Sequence, residues 1–169
     1  MTKCILLTLT LVWAAPSCWA DDNPDAAFYK SAAEGGLAEV ELGKLAQEKS
    51  SSQSVKDFGA MMVSDHSAAN EKLKGIAGAK DMQLPSSPSM GQMATKAKLE
   101  VLSGTTFDKS YIKGMVKDHE EDIKEFQREA ASGRDPDAKA FAKATLATLQ
   151  AHLKKIQAIA MKEGVKADK

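Results

Sequence analysis

The sequence contains three histidines, and two of them end nearly identical stretches, MVSDH at 62–66 and MVKDH at 115–119. The third, His152, lies in LQAHLKKI. Imidazole nitrogens are common ligands of transition metals. A single histidine in a protein core is more often only hydrogen-bonded, whereas three that converge indicate a metal site. The interpretation therefore depends on whether the fold brings these side chains together.

Each histidine falls in a series of apolar residues spaced by three or four positions. Such spacing forms one face of an α-helix, and that face turns towards the core. The apolar residues one turn before the histidines are Met62, Met115 and Leu149. A fourth series, near the amino terminus, contains a glutamate in the same kind of position. The four polar residues predicted to face inward are His66, His119, His152 and Glu39.

The elements that carry these residues are predicted to be helices. The sequence is rich in Ala, Lys, Glu, Leu and Met, and only a few Pro, Gly and Ser clusters interrupt it. Pro85 and Pro88 exclude regular helix from a loop at 81–91. We expect long helices at about 24–49, 53–79, 106–131 and 136–163, and a shorter one within 92–104.

This order predicts an all-α protein, an up-down bundle of four long helices with a short extra helix between the second and third. The midpoints of the long helices lie near residues 37, 66, 118 and 150. Each inward polar residue is within two positions of a midpoint, or ~3 Å along the axis. Because antiparallel neighbours of similar length meet at mid-height, the three imidazoles and Glu39 are predicted to converge.

Three imidazoles with one carboxylate suit zinc or copper best, and non-haem iron is a further candidate. Met62 and Met115 are thioethers that would favour Cu(I), although plain core filling is the more common role of methionine at such positions. The flanking carboxylates are predicted to be rim or outer ligands, or solvated surface groups; they are Glu41, Asp65 and Asp118. The alternative to a metal is a layer of histidines that only hydrogen-bond within the core.

The first 20 residues are predicted to be a secretory signal peptide. Lys3 precedes an apolar run too short to span a bilayer, and Cys18-Trp19-Ala20 resembles a cleavage site. Cleavage after Ala20 would leave a domain at 21–169 in the periplasm or outside the cell. It would also remove Cys4 and Cys18, the only cysteines. A lipoprotein acylated at Cys18 is the alternative.

The charge balance of this domain limits the classes of partner that we expect. Lys3 is the only charged residue of the signal, so 22 basic and 23 acidic residues remain. This balance does not suggest a nucleic acid or an anionic membrane surface. We expect a metal ion as the partner and no integral membrane segment after cleavage. The sequence does not indicate a protein partner or an oligomeric state.

Several long stretches resemble a known bacterial family of exported proteins, catalogued as a domain of unknown function in the ferritin-like superfamily. The similar stretches are EVELGKLA, the two DH segments in their helices, and TLQAHLKKI, and the resemblance covers about residues 25–163. It implies a ferritin-like bundle and export. Di-iron members of that superfamily carry a glutamate three residues before each histidine. The corresponding positions are Val63, Val116 and Leu149, so di-iron chemistry is not expected.

The sequence thus predicts an exported helical bundle that stores, buffers or senses a transition metal. The alternative is a metal-free module for envelope stress or partner binding. An enzyme ranks third, because a nucleophilic cysteine and a G-x-S-x-G motif are both missing from the expected mature sequence. A metal with one open position could still activate water.

Overall fold

The computed structural model describes residues 24–166, and this part of the chain is helical with no strand. Five helices follow one another, four long and one short. They are α1 (Pro24–Lys49), α2 (Gln53–Gly78), α3 (Met90–Glu100), α4 (Gly104–Ser132) and α5 (Pro136–Lys162). The all-α prediction is confirmed. The predicted signal peptide lies outside the described residues, so export stays a prediction.

The local sequence explains where the helices begin. Asp135 caps α5 by accepting a hydrogen bond from the amide of Asp137, and Pro136 occupies the first turn. Ser89 and Gln92 form a reciprocal capping box at the start of α3. This box starts α3 two residues before the predicted position, and α4 likewise begins at Gly104 rather than Thr106.

Contacts at the two ends of the bundle establish the helix directions. The turn between α1 and α2 is joined to the start of α4, because Ser50 and Ser51 donate to the Asp108 carboxylate. At the other end Asp25, in the first turn of α1, accepts from the amides of Arg134 and Asp135. We call these ends the Ser50 end and the Asp25 end. Helices α1 and α5 therefore run towards the Ser50 end, and α2 and α4 run away from it.

Neighbouring long helices are antiparallel, as predicted for an up-down bundle. Helix α1 packs against α2 and α4, and α5 packs against the same two helices. Because α2 ends where α1 begins, the segment 79–103 must cross back along the bundle, and α3 covers part of that crossing against α1 and α4. One long crossover is the connectivity of ferritin-like bundles.

Helices α1 and α2 approach each other most closely at a pair of glycines. A Cβ atom on Gly43 would lie 2.6 Å from the carbonyl oxygen of Gly59, and a Cβ atom on Gly59 would lie 2.6 Å from that of Gly43. Any side chain here would separate the helices. This close contact holds α1 and α2 in a fixed alignment beside the level of Glu39 and His66.

The core consists of two apolar clusters with a polar layer between them. The cluster at the Ser50 end contains Phe58, Met62 and Tyr111, and the cluster at the Asp25 end contains Phe28 and Leu73. Four of the phenylalanines buried in these clusters are Phe28, Phe58, Phe126 and Phe141. The buried polar layer is formed by Glu39, His66, His119 and His152.

Candidate metal centre

The three histidines meet in the middle of the bundle, on α2, α4 and α5. His66, His119 and His152 are 7%, 0% and 2% exposed. One ligand nitrogen from each lies within 4.8 Å of the other two. The ring centroids are 5.5 Å apart for two of the pairs and 6.0 Å for the third. The predicted meeting of the imidazoles at one level is present in the structure.

Hydrogen bonds on the outer side orient two of the rings. The Nδ1 atom of His119 donates to the carbonyl oxygen of Met115 at 2.9 Å. The Nε2 atom of His152 donates to a carboxylate oxygen of Asp65 at 2.9 Å. Because a carbonyl and a carboxylate oxygen only accept, these ring nitrogens carry the protons. In the neutral form of each ring, the other nitrogen keeps its lone pair.

Polar atoms without a partner are concentrated in this layer. Among the described residues, six buried side-chain atoms lack a hydrogen-bond partner, and three of them are ring nitrogens: Nε2 of His66, Nε2 of His119 and Nδ1 of His152. Two more, on Glu39 and Tyr111, belong to α1 and α4 beside the histidines, and the sixth is on Glu129 towards the Asp25 end. Leaving such atoms unpaired costs about 1–3 kcal/mol each, so their convergence indicates a ligand.

Two of the imidazoles, those of His66 and His119, are neutral at physiological pH. Burial, reinforced by the two neighbouring imidazoles, lowers the pKa of His66 from 6.5 to about 3. Burial also lowers the pKa of His119 to about 4, although its hydrogen bond to Met115 opposes the shift. A neutral imidazole is the form that binds a metal. The layer therefore presents available lone pairs without prior loss of a proton at these two residues.

The donor set fits a transition-metal ion. Neutral imidazoles suit zinc, copper, iron and nickel. Three nitrogens bound tetrahedrally at ~2.0–2.1 Å would lie ~3.4 Å apart, and the present nitrogens lie within 4.8 Å of one another. Three protein ligands leave one position for water or another ligand. The hydrogen bonds that the rings donate to Met115 and Asp65 are of the kind that orients metal-binding histidines.

Glu39 lies beside the histidine group on the outer side of His119. Its carboxylate is 3.8 Å from Nδ1 of His119, which is the nitrogen bonded to Met115. The structure does not bring Glu39 into the convergent group of three nitrogens, and its role as a direct ligand stays a prediction. Burial, and after it the carboxylates of Asp122 and Asp118, raise the pKa of Glu39 well above its usual value.

The other residues predicted for the site lie at different positions relative to the histidines. Asp65 is an outer partner because it holds His152, whereas Glu41 turns towards α3, where its carboxylate lies 3.6 Å from the Lys96 ammonium. Asp118 is half-buried, and burial and the nearby Glu121 raise its pKa to about 6. Met62 and Met115 are fully buried, and Met115 serves the site through its carbonyl group.

Two groups near the site were not among the predicted residues. Asp122 follows His119 by one turn, and burial together with neighbouring acids raises its pKa to about 7. The run DHEEDIKEF looks like a solvated charged face, so its sequence hides this burial. The hydroxyl of Tyr111 is buried, and burial followed by Glu39 and Asp118 raises its pKa. The ring of Tyr111 lies in the apolar cluster at the Ser50 end.

Comparison with protein families identifies the chain. The family described as a domain of unknown function, DUF4142, matches residues 14–159, which is most of the sequence. The chain belongs to the DUF4142 family. The resemblance stated above to an exported family of unknown function is thus supported as to the family, while the description of DUF4142 specifies no activity. A comparison of the DUF4142 chain with curated proteins gives no significant match.

Solved structures share the fold of the DUF4142 chain. A DUF305 protein from Streptomyces coelicolor is 14% identical, with a TM-score of 0.73. The match covers 87% of this chain and 98% of the Streptomyces chain. A DUF305 fragment from Deinococcus radiodurans is 11% identical with a TM-score of 0.72, covering 82% and 95%. CopM in its Cu(I)-bound form is 13% identical with a TM-score of 0.68, covering 82% and 96%. At these identities the likeness shows the fold alone.

Within residues 24–166, no helix combines the length and the apolar character needed to cross a bilayer.

Proposed function

We propose that this protein binds a transition-metal ion through His66, His119 and His152, and that it does so as an exported protein that stores, buffers or senses the metal. The carrying observation is the convergence of three buried ring nitrogens, none with a partner among the described residues. In a hydrogen-bonded layer without metal, these nitrogens would bond to each other or to neighbouring groups. Here the outward nitrogens of His119 and His152 are bonded, and the inward ones are left free.

The fold comparison adds support for the choice of metal. CopM, which shares the fold, has been solved with Cu(I), Cu(II) and Ag bound. We propose copper or zinc for the present site and keep iron as a further candidate, because imidazole donors suit all three. The one-crossover connectivity also supports placing the protein in the ferritin-like superfamily, as a part of the same proposal.

Thermal unfolding with and without added metal tests the site. Zn²⁺ or Cu²⁺ at about 100 times its Kd should stabilise the folded state by about 2.7 kcal/mol, because the ion binds the native state preferentially. His66→Ala, His119→Ala and His152→Ala should each remove most of that gain. Glu39→Gln should reduce it, and Asp65→Asn should have a smaller effect because its carboxylate only orients His152.

A matched control separates loss of the site from loss of stability. Leu73 lies in the apolar cluster at the Asp25 end, and Leu73→Ala should cost about 2–5 kcal/mol as a large-to-small core change. This variant should melt earlier but keep the full gain from metal. Elemental analysis of protein purified from cells, with the triple histidine variant beside it, would identify the metal. A wild type without any metal-dependent shift would refute the proposal.

Acid should weaken binding because protons compete for the imidazole lone pairs. At His66 and His119 this competition begins only at low pH, since their pKa values are about 3 and 4. We therefore expect these two nitrogens to remain available at pH 5.5, where an exposed histidine would be protonated. Titrations at several pH values would measure this.

Localisation is tested separately, by amino-terminal sequencing of the exported protein, which should begin at Asp21.

A further inference from the structure

A crevice of 280 Å³ opens between α1, α3 and α4. Its wall on α4 includes Tyr111, Gly114, Met115 and Asp118. Met115 precedes His119 by one helical turn, and its carbonyl oxygen accepts the proton of the His119 ring. The crevice therefore reaches the residues that directly support one of the three histidines.

Charged and polar side chains line this crevice, among them Lys98 of α3. The half-buried carboxylate of Asp118 lines it, and so does Tyr111, whose hydroxyl is fully buried and without a partner among the described residues. Behind that wall, Glu39 has a buried carboxylate oxygen that also lacks a partner, and its other oxygen is 3.8 Å from the His119 ring. Polar groups thus extend from Asp118 towards the histidines.

Aromatic rings close two other approaches to the site. The ring of Phe58 lies 6.0 Å from that of His119 and 6.4 Å from that of His152, on the Ser50 side of the layer. On the side of α2 and α5, the imidazole of His152 lies between the site and Asp65. Its Nε2 atom is bonded to Asp65, and its Nδ1 atom faces the site. On the α4 side, by contrast, the wall contains Met115, whose unbranched side chain changes rotamer readily.

We infer that the crevice between α1, α3 and α4 is the route by which a metal ion enters and leaves the histidine site. Asp118 attracts the cation at the mouth, and the side chain of Met115 moves aside to admit it. The inference rests on the proposed metal binding. It concerns the rate at which the ion reaches the site and not the affinity of the site.

Two glycines provide a matched pair of variants. Gly114 lines the crevice, Gly75 lies on the exposed surface of α2, and a Cβ atom at either position would meet nothing within 4 Å. Leucine favours a helix more than glycine does, so Gly114→Leu and Gly75→Leu should both fold. Only the first fills the crevice.

The rates are measured with the protein from Asp21 onward by the quenching of tyrosine fluorescence when Cu²⁺ binds, and by release of the ion into excess EDTA. Gly114→Leu should slow both association and release by about tenfold. Because the barrier changes and the site does not, the two factors should be equal and the Kd unchanged. Gly75→Leu should behave as the wild type does.

A second variant tests the charge at the mouth without filling the crevice. At pH 8 and low ionic strength, Asp118→Asn should slow association by about two- to tenfold, and added salt should shrink the difference. Glu120→Gln, on the exposed side of the same helix, should change the rate little.

The outcomes separate this inference from the proposed function. If the wild type binds no metal, the proposed function fails and the route fails with it. If the wild type binds metal but Gly114→Leu has wild-type rates, the route is wrong and the site stands. A Gly114→Leu variant with an altered Kd and an unchanged association rate would likewise overturn the route.

Discussion

Two buried polar groups of this bundle are built in opposite ways. At the Ser50 end, the carboxylate of Asp108 accepts from the hydroxyls of Ser50 and Ser51 and from the amide of Ser51. In the middle, each of three histidines leaves one ring nitrogen without a partner among the described residues. The Asp108 group is complete within the protein, whereas the histidine layer needs something more. We therefore regard the first as structural and the second as functional.

Removing the Asp108 carboxylate should have the largest effect on the free energy of unfolding. Asp108→Ala removes the acceptor of three hydrogen bonds and leaves Ser52 as the remaining partner of the Ser50 hydroxyl. We expect a loss of about 3 kcal/mol in the free energy of unfolding, since each lost bond contributes about 1 kcal/mol. Added metal should not change that loss. Denaturant unfolding would measure it, with the exposed Asp57→Ala as the control. A loss below about 0.5 kcal/mol, the range of surface changes, would contradict the structural role.

The next largest effect on stability should come from Asp122, which lies beside the histidine layer. The pKa of Asp122 is raised from 3.8 to about 7, so the folded state holds a proton that the unfolded state has already lost. Its contribution to stability is therefore present at acidic pH and is lost as the pH rises towards and above 7. Asp122→Asn should stabilise the protein by about 1–2 kcal/mol at pH 8 and hardly at all at pH 4.

The control for this prediction is Glu120→Gln on the exposed side of the same helix, which should show no such pH dependence. The histidines act in the opposite sense. Since the pKa values of His66 and His119 are lowered to about 3 and 4, their contribution is present above 6.5 and is lost as the pH falls towards those values. Equal stabilisation by Asp122→Asn at both pH values would contradict the assignment.

Removing an unpaired polar group should help the metal-free protein. His66→Leu replaces a buried imidazole, whose Nε2 atom has no partner among the described residues, by an apolar side chain of similar size. We expect the metal-free protein to gain about 1 kcal/mol, because an unsatisfied polar atom is removed from the core. Thermal unfolding in EDTA would measure this. A clear loss of stability would mean that the layer is complete without metal.

The smallest effect on stability should come from Glu41, which belongs to neither the Asp108 group nor the histidine layer. Glu41 pairs with Lys96 at 3.6 Å, and these side chains are 41% and 32% exposed. Glu41→Gln should change the free energy of unfolding by less than about 0.5 kcal/mol, as is usual for surface ion pairs. It should leave the metal-dependent stabilisation intact. If metal binding weakened instead, Glu41 would have to be added to the site.

The sequence predicted the fold and the meeting of the histidines because both depend on regular helices. The four-residue spacing from Met62 to His66 and from Met115 to His119 determined the inward faces, and helix midpoints determined the level. The sequence could not assign the individual ring nitrogens. Those depend on contacts such as the one between Asp65 and His152, which joins residues on two helices that are far apart in the sequence.

The position of Glu39 illustrates the same limit. Spacing placed it correctly on the inner face of α1, where it is 3% exposed. Whether its carboxylate meets the convergent nitrogens or the outer nitrogen of His119 is decided by side-chain rotamers and by the close approach of α1 to its neighbours. Hydropathy patterns contain neither. Asp122 was missed for a related reason, since a residue within a charged run can still be covered by an adjacent helix.

The polar layer between the two apolar clusters also has a consequence for assembly. If one helix slid by a turn, or about 5.4 Å, its histidine would enter an apolar cluster and lose its companions on the other helices. The hydrogen bond between His152 and Asp65 would break if α2 or α5 moved, and the three ring nitrogens could no longer share a metal ion. An apolar core of interchangeable Leu, Met and Ala side chains would penalise that slip much less. Once the proposed metal is bound, the histidines of α2, α4 and α5 would therefore favour a single register of the helices.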